Sequence, residues 1–188
     1  IASMKGVKSH QTIRDGLAML ENLTHRGAVG ADPLMGDGAG MLVQIPDAFF
    51  RAKMAGQGIE LPAEGHYAVG YLFMPQDTGL RAHCENIVRE VVAAEGQVLI
   101  GFRDVPVDNS SLSKAPDIAA PDPFHRQVFI GRGAGIASDD DFERRLYILR
   151  KVISGRIYAE TEGRDNGFYI VSMSSRTIIY KGMFLAYQ

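Results

Sequence analysis

The chain has 188 residues, 46% of them apolar and 22% charged, with a formal net charge of −2 at pH 7. This balance supports a folded core and excludes a chain that is disordered for lack of apolar residues. The nearly neutral charge excludes the basic footprint of nucleic-acid binding, and no apolar stretch approaches the length that spans a bilayer.

The first predicted elements are a short strand and an amphipathic helix. Residues 1–5 are mostly apolar and predict a strand that ends at Gly6. Between Ser9 and Leu23, apolar residues recur every three or four positions, which predicts a helix with Ser9 as its N-cap. Its predicted apolar stripe consists of Ile13, Leu17, Leu20 and Leu23.

The middle of the chain predicts alternating strands and helices. Residues 41–45, 67–74 and 98–105 read as strands, and residues 46–55 and 80–94 as helices. The strand–helix–strand order around the second helix favours an α/β or α+β layer arrangement. The apolar side of that helix is predicted to be Leu80, Cys84, Ile87, Val88, Val91 and Val92.

The last third predicts a short strand, the longest helix and a hairpin. Residues 128–130 form the short strand, and residues 139–157 the helix. Residues 168–173 and 177–181 predict two strands of one hairpin around Ser174 and Ser175. The stripe of the long helix is predicted to be Phe142, Leu146, Leu149, Ile153 and Ile157.

The reactive side chains of these elements favour structural roles. Cys84 lies mid-helix on an apolar stripe, so we expect it to pack in the core rather than act as a nucleophile. Apart from His25, which follows the first helix, the chain has four histidines. Their spacing is not that of metal ligands, so no metal site is predicted. The four histidines are His10, His66, His83 and His125.

Two glycine-rich segments invite a nucleotide-binding interpretation. Residues 36–40 (GDGAG) lack the Lys-Ser/Thr of a phosphate loop and precede a strand rather than a helix, and residues 131–135 (GRGAG) resemble an ordinary loop. Of the three functional hypotheses for this chain, a nucleotide-binding protein is therefore the weakest, and the other two follow from the family resemblance below. For residues 36–40, a tight turn passing close to a catalytic centre is preferred.

Seven segments in one order and spacing carry a family resemblance. They are residues 20–28, 36–40, 44–50, 67–70, 101–106, 144–148 and 168–183. Together they resemble the glutamine amidotransferase domain of glutamate synthase large subunits, along the whole chain. Residues 107–135 match least well, as an exposed connection would.

The resemblance implies a fold and an activity. The fold class would be α+β, a four-layer αββα sandwich of the N-terminal nucleophile hydrolase type, incomplete here, with residues 1–188 as the N-terminal part of a single domain. The activity would be hydrolysis of L-glutamine to glutamate and ammonia, which a synthase domain of the same polypeptide transfers to 2-oxoglutarate. FMN, iron–sulfur clusters and a small reductase subunit would belong to the rest of the parent enzyme, in the cytoplasm or a plastid.

The same resemblance implies that the catalytic groups lie outside this chain. The nucleophilic cysteine is expected just before Ile1, and the oxyanion-hole segment after Gln188, so we expect no catalytic residue here and an inactive fragment. The alternative is a non-catalytic binding or interaction module that keeps the fold.

The family match assigns four residues to an active-site wall. These are Arg26, Gly27, Asp37 and Gly38. A guanidinium can orient carboxylates or carbonyls, and glycines allow the backbone to approach a reacting centre. We therefore expect Arg26 and residues 36–40 to lie near the amino-terminal strand.

Overall fold

A computed structural model describes residues 1–27, 33–34, 36, 38–112, 122–161 and 167–188. These residues form four α-helices and six strands. In chain order they are α1 (His10–Asn22), β1 (Ala39–Gln44), α2 (Asp47–Ala55), β2 (Tyr67–Met74), α3 (Thr78–Ala94), β3 (Val98–Asp104), β4 (Phe124–Gly131), α4 (Asp139–Glu160), β5 (Tyr169–Ser174) and β6 (Thr177–Gly182).

A four-stranded sheet in the order β3-β4-β2-β5 organises the larger part of the chain. β4 is antiparallel to both β2 and β3, and β2 is also antiparallel to β5. β2 and β3, the strands on either side of α3 in sequence, are therefore separated by β4. The chain is thus an α+β protein with an antiparallel main sheet.

Helices α3 and α4 cover one face of this sheet. Asp77 caps α3 through Leu80 N at 2.7 Å, and Ser138 caps α4 through Asp141 N at 3.1 Å. The apolar stripes predicted for both helices are confirmed as buried, with Leu80 packed at the edge of the core. Burial of these stripes against β-branched and aliphatic strand residues is the main source of stability.

Helix α2 lies against the other face of the sheet. Its Phe50 is fully buried and meets Phe129 of β4 edge to face, with the ring centroids 5.3 Å apart. Asp47, in its first turn, accepts hydrogen bonds from Arg51 Nη2 at 2.9 Å and from the Tyr67 hydroxyl at 2.8 Å. Burial raises the pKa of the Tyr67 hydroxyl, and the hydrogen bond to the Asp47 carboxylate raises it further.

Two compact units divide the chain. One comprises Gln44–Val107 and Asp122–Ile178 and contains the four-stranded sheet. The other comprises Ile1–Val43, Asp108–Pro121 and Ile179–Gln188, and holds most of a two-stranded sheet of β1 and β6.

Three predictions about elements are wrong. Residues 1–5 form no strand and end in a turn at residues 4–5, and β4 begins four residues before the predicted start. The predicted hairpin of the last two strands does not exist, because β5 pairs with β2 and β6 pairs with β1. The chain leaves one sheet for the other at Ser175 and Arg176.

Helix α1 differs from its prediction in burial alone. The helix forms, and Ser9 caps it by accepting a hydrogen bond from Gln11 N at 3.1 Å. Its predicted stripe is not buried: Leu17 and Leu23 keep 45% and 47% exposure. The stripe thus lacks a cover within the described residues.

Candidate active-site wall

The predicted wall begins where helix α1 ends. The chain turns there through one 3₁₀ turn, Thr24–Arg26, and Gly27 N donates to the Thr24 carbonyl at 3.0 Å. His25 Nδ1 donates to the Asn22 carbonyl at 3.0 Å, which satisfies one of the free carbonyls at the helix end. His25 therefore has a structural role at the helix terminus.

Arg26 is exposed, and its guanidinium has no hydrogen bond or ion pair with any other described residue. At this exposed position the guanidinium is accessible to solvent. Without a partner among the described residues, it is available to bind an external group.

The glycines of residues 36–40 lie against residues 180–185 within one compact unit. A Cβ at Gly36 would stand 2.6 Å from the Phe184 carbonyl oxygen, and one at Gly40 would stand 2.5 Å from that of Tyr180. Gly38 has φ 113°, a left-handed conformation that favours glycine. The backbone is closely approached here, and the neighbours are strand β6 and the residues directly after it. The expected approach to a catalytic centre stays a prediction.

These contacts describe two parts of the predicted wall, each by itself. Arg26 and Gly27 end the α1 region, and Gly38 lies beside the Gly182 carbonyl. Asp37 lies outside the described residues. The closeness of Arg26 to residues 36–40 and to Ile1 stays a prediction.

Cys84 has the packing role that its position predicted. It is fully buried in the core between the sheet and its helices. Burial raises the pKa of its thiol to about 11, so the reactive thiolate is scarce near neutral pH.

A row of buried polar residues crosses the other face of the main sheet, and the sequence did not reveal it. Arg103 lies opposite Gln127, Gln127 opposite Tyr71, and Tyr71 opposite Ser172. Arg103 is 9% exposed and Gln127 fully buried, with Arg103 Nη1 donating to Gln127 Oε1 at 2.8 Å. Directly opposite residues share one face of a sheet, so the strand register brings these groups together.

His125 adds an imidazole beside this row. Its Nδ1 lies 2.6 Å from the Tyr71 hydroxyl, and its ring meets Phe73 edge to face. Burial lowers the pKa of His125. In the sequence, only the spacing of two residues between His125 and Gln127 indicates that both lie on one face of a strand. The predicted strand began at residue 128 and therefore did not include them.

A model of the family described as glutamine amidotransferases class-II matches residues 1–188. The chain belongs to this family. Curated relatives of this amidotransferase chain are named as glutamate synthases of several kinds. It is 43% identical over 182 residues to "Glutamate synthase [NADPH] large chain" of Bacillus subtilis, a match that covers 97% of the chain and 11% of the relative.

Two further relatives of the amidotransferase chain come from other lineages. It is 36% identical over 189 residues to the glutamate synthase [NADPH] large chain of Azospirillum brasilense, covering 100% of the chain and 12% of the relative. It is 35% identical over 183 residues to ferredoxin-dependent glutamate synthase 1, chloroplastic/mitochondrial, of Arabidopsis thaliana, covering 97% of the chain and 11% of the relative. The chain thus spans about a ninth of the length of these relatives.

Among the helices of the described residues, none combines the length and apolar character of a membrane span.

Proposed function

We propose that this chain is part of the glutaminase module of a glutamate synthase, which hydrolyses L-glutamine to glutamate and ammonia. The observation that carries this proposal is the class-II amidotransferase match over residues 1–188, together with relatives that are glutamate synthase large chains. Residues 1–188 would form the N-terminal part of one amidotransferase domain with four layers, two sheets between two layers of helices.

The chemistry of this module would be thiol-based acyl transfer. A cysteine sulfur attacks the amide carbon of glutamine, the C–N bond breaks, and the nitrogen leaves with a proton as ammonia. Water then hydrolyses the thioester, which releases glutamate and restores the thiol. Arg26 and the backbone at Gly27, Asp37 and Gly38 would form the wall that holds the substrate in place.

The nucleophile of this reaction is not Cys84. Its side chain is fully buried, and the pKa of its thiol is raised to about 11. Because Cys84 is the only cysteine, residues 1–188 alone would release no ammonia from glutamine. The catalytic cysteine would come from another part of the polypeptide.

The later step would use the rest of the parent enzyme. There, ammonia would react with 2-oxoglutarate, with reducing equivalents passing through iron–sulfur clusters and FMN, in the cytoplasm or a plastid. Iron–sulfur clusters need several cysteine thiolates, and a single buried cysteine does not fit this requirement. These cofactors, the synthase domain and a small reductase subunit are therefore assigned to regions other than residues 1–188.

The test compares two polypeptides. Ammonia release from L-glutamine is measured for the whole protein that contains this chain and for residues 1–188 alone. We expect turnover that iodoacetamide abolishes in the whole protein, and none from residues 1–188. A whole protein that binds glutamine without releasing ammonia would instead favour a non-catalytic binding module.

A further inference from the structure

Arg103 is a buried cation that has no carboxylate partner in the described part of the chain. Its side chain is 9% exposed, and its contacts are one hydrogen bond to Gln127 and the ring of Phe49, whose centroid lies 5.5 Å from its Cζ. Across the described residues, no aspartate or glutamate forms an ion pair with it. Burying a charge costs free energy unless an opposite charge compensates it, and no described carboxylate compensates the charge of Arg103.

One edge of the guanidinium remains available. Nη1 donates to Gln127, whereas Nε and Nη2 have no hydrogen-bond partner among the residues that the structure describes. Neither of these nitrogens is among the fully buried atoms without a partner, so both still meet solvent. The Nε–Nη2 edge of a guanidinium presents two parallel N–H groups, which match the two oxygens of a carboxylate.

A second cation stands beside the same aromatic ring. The exposed Lys53 Nζ lies 5.7 Å from the centroid of Phe49, and no ion pair joins it to a described carboxylate. Phe49 itself is 44% exposed. Two positive charges therefore flank a partly exposed apolar surface, which suits a ligand with a carboxylate next to an apolar group.

We infer that Arg103, with Lys53 and Phe49, forms a binding site for a carboxylate. The carboxylate bonds the Nε–Nη2 edge of Arg103, and its electrostatic attraction to Lys53 adds to the affinity. Gln127 holds the guanidinium in place from the other side, and its own position is fixed by burial between neighbouring strands. The site is independent of the thiol chemistry proposed above.

Arginine side-chain NMR of the 188-residue protein tests this inference. Sodium acetate is titrated against sodium chloride at equal ionic strength, while the Nε–H resonance of Arg103 and the side-chain amide of Gln127 are followed. We expect a saturable shift of both resonances with acetate and none with chloride. Shifts no larger with acetate than with chloride would overturn the inference.

Two further probes identify the source of the carboxylate. L-Glutamate represents a free metabolite, and a blocked peptide with aspartate beside leucine represents an acidic protein segment. Either source leaves the inference standing, and the probe that binds about tenfold tighter than acetate identifies it. Failure of all three probes would refute the site.

Substitutions separate the site from general charge effects. Arg103→Met should abolish the Gln127 response to acetate, and Lys53→Met should weaken acetate binding about threefold because one exposed charge is removed. Lys151→Met is the matched control, since Lys151 is also exposed and its Nζ lies 5.6 Å from the Tyr147 ring. If Arg103→Met does not fold, equal weakening by Lys53→Met and Lys151→Met would still contradict the inference.

Discussion

The Nδ1 atom of His125 lies 2.6 Å from the hydroxyl of Tyr71, on the sheet face opposite α3 and α4. Burial lowers the pKa of His125, and the nearby Asp122 carboxylate offsets only part of that effect. The unfolded chain, with its histidine near pKa 6.5, therefore binds more protons than the folded one between the lowered pKa and about 6.5.

This linkage predicts an acid-sensitive stability. The contribution of neutral His125 is present above about pH 6.5 and is lost as the pH falls through the window down to its lowered native pKa. Urea unfolding from about pH 8 to about pH 5 should show a smaller loss for His125→Gln than for the unchanged protein. His66→Gln, at an exposed position, is the control, and an unchanged slope for His125→Gln would contradict the assignment.

Glu143 of α4 should stabilise the point where the chain leaves the main sheet. Its carboxylate accepts hydrogen bonds from Ser175 N at 2.7 Å, from Ser175 Oγ at 2.6 Å and from Ser174 Oγ at 3.0 Å. Glu143→Ala should lower the free energy of unfolding by about 1–3 kcal/mol, since hydrogen bonds to a charged group are strong. Arg144→Ala, next to it and exposed, should change that free energy by less than about 0.5 kcal/mol.

Two glycines should respond in opposite directions to substitution by alanine. Gly40→Ala would put a Cβ 2.5 Å from the Tyr180 carbonyl oxygen and should cost about 1–3 kcal/mol of unfolding free energy. Gly155→Ala, exposed inside α4 with no atom within 4 Å of the new Cβ, should add about 0.5–1 kcal/mol. Equal effects in denaturant unfolding would argue against the packing of Gly40 on Tyr180.

Cys84 should be inert in the folded protein. A thiol reagent at about pH 8 should react with it only after denaturant is added, because the thiol is buried and its pKa is raised to about 11. In the whole protein, Cys84→Ala should leave ammonia release and its inhibition by iodoacetamide unchanged. Loss of either in a folded variant would place the nucleophile at Cys84.

Arg26 should affect glutamine hydrolysis without affecting stability. Because its guanidinium has no partner among the described residues, Arg26→Lys should leave the melting temperature unchanged. If it orients substrate, the rate of ammonia release in the whole protein should fall about tenfold or more. Arg14→Lys, on the exposed side of α1, should leave the rate unchanged, and equal rates for both variants would remove Arg26 from the wall.

The spacing of apolar residues predicted those helices that bury a single apolar stripe. The stripes of α3 and α4 were recognisable because burial against one sheet face imposes a spacing of three and four residues. It failed for β4, since His125 and Gln127 are polar residues whose burial depends on neighbouring strands. It also failed for β5 and β6, because a short turn predicts a hairpin whatever partner each strand finds.

The candidate site was less accessible to sequence reasoning than the fold. Glycines at positions 36, 38 and 40 predicted a backbone approach to a catalytic centre, which stays a prediction, and the contacts show instead a close approach to residues 180–185. Nothing local identified which segment would approach them, nor that Arg103 would meet Phe49 and Gln127 across more than one element. Such pairings depend on strand register, which only the assembled sheet defines.

The two strands that pair with β2 follow it at long sequence separations. Tyr67 pairs with Gly131, more than sixty positions on, and Tyr71 pairs with Ser172, about a hundred positions on. During synthesis, β2 therefore leaves the ribosome long before either neighbour exists, and its apolar residues lack one of these strands until about a hundred further residues have been made. Such non-local pairing slows folding and makes early release of an incomplete chain an aggregation hazard, so chaperone demand should be highest before residue 175 emerges.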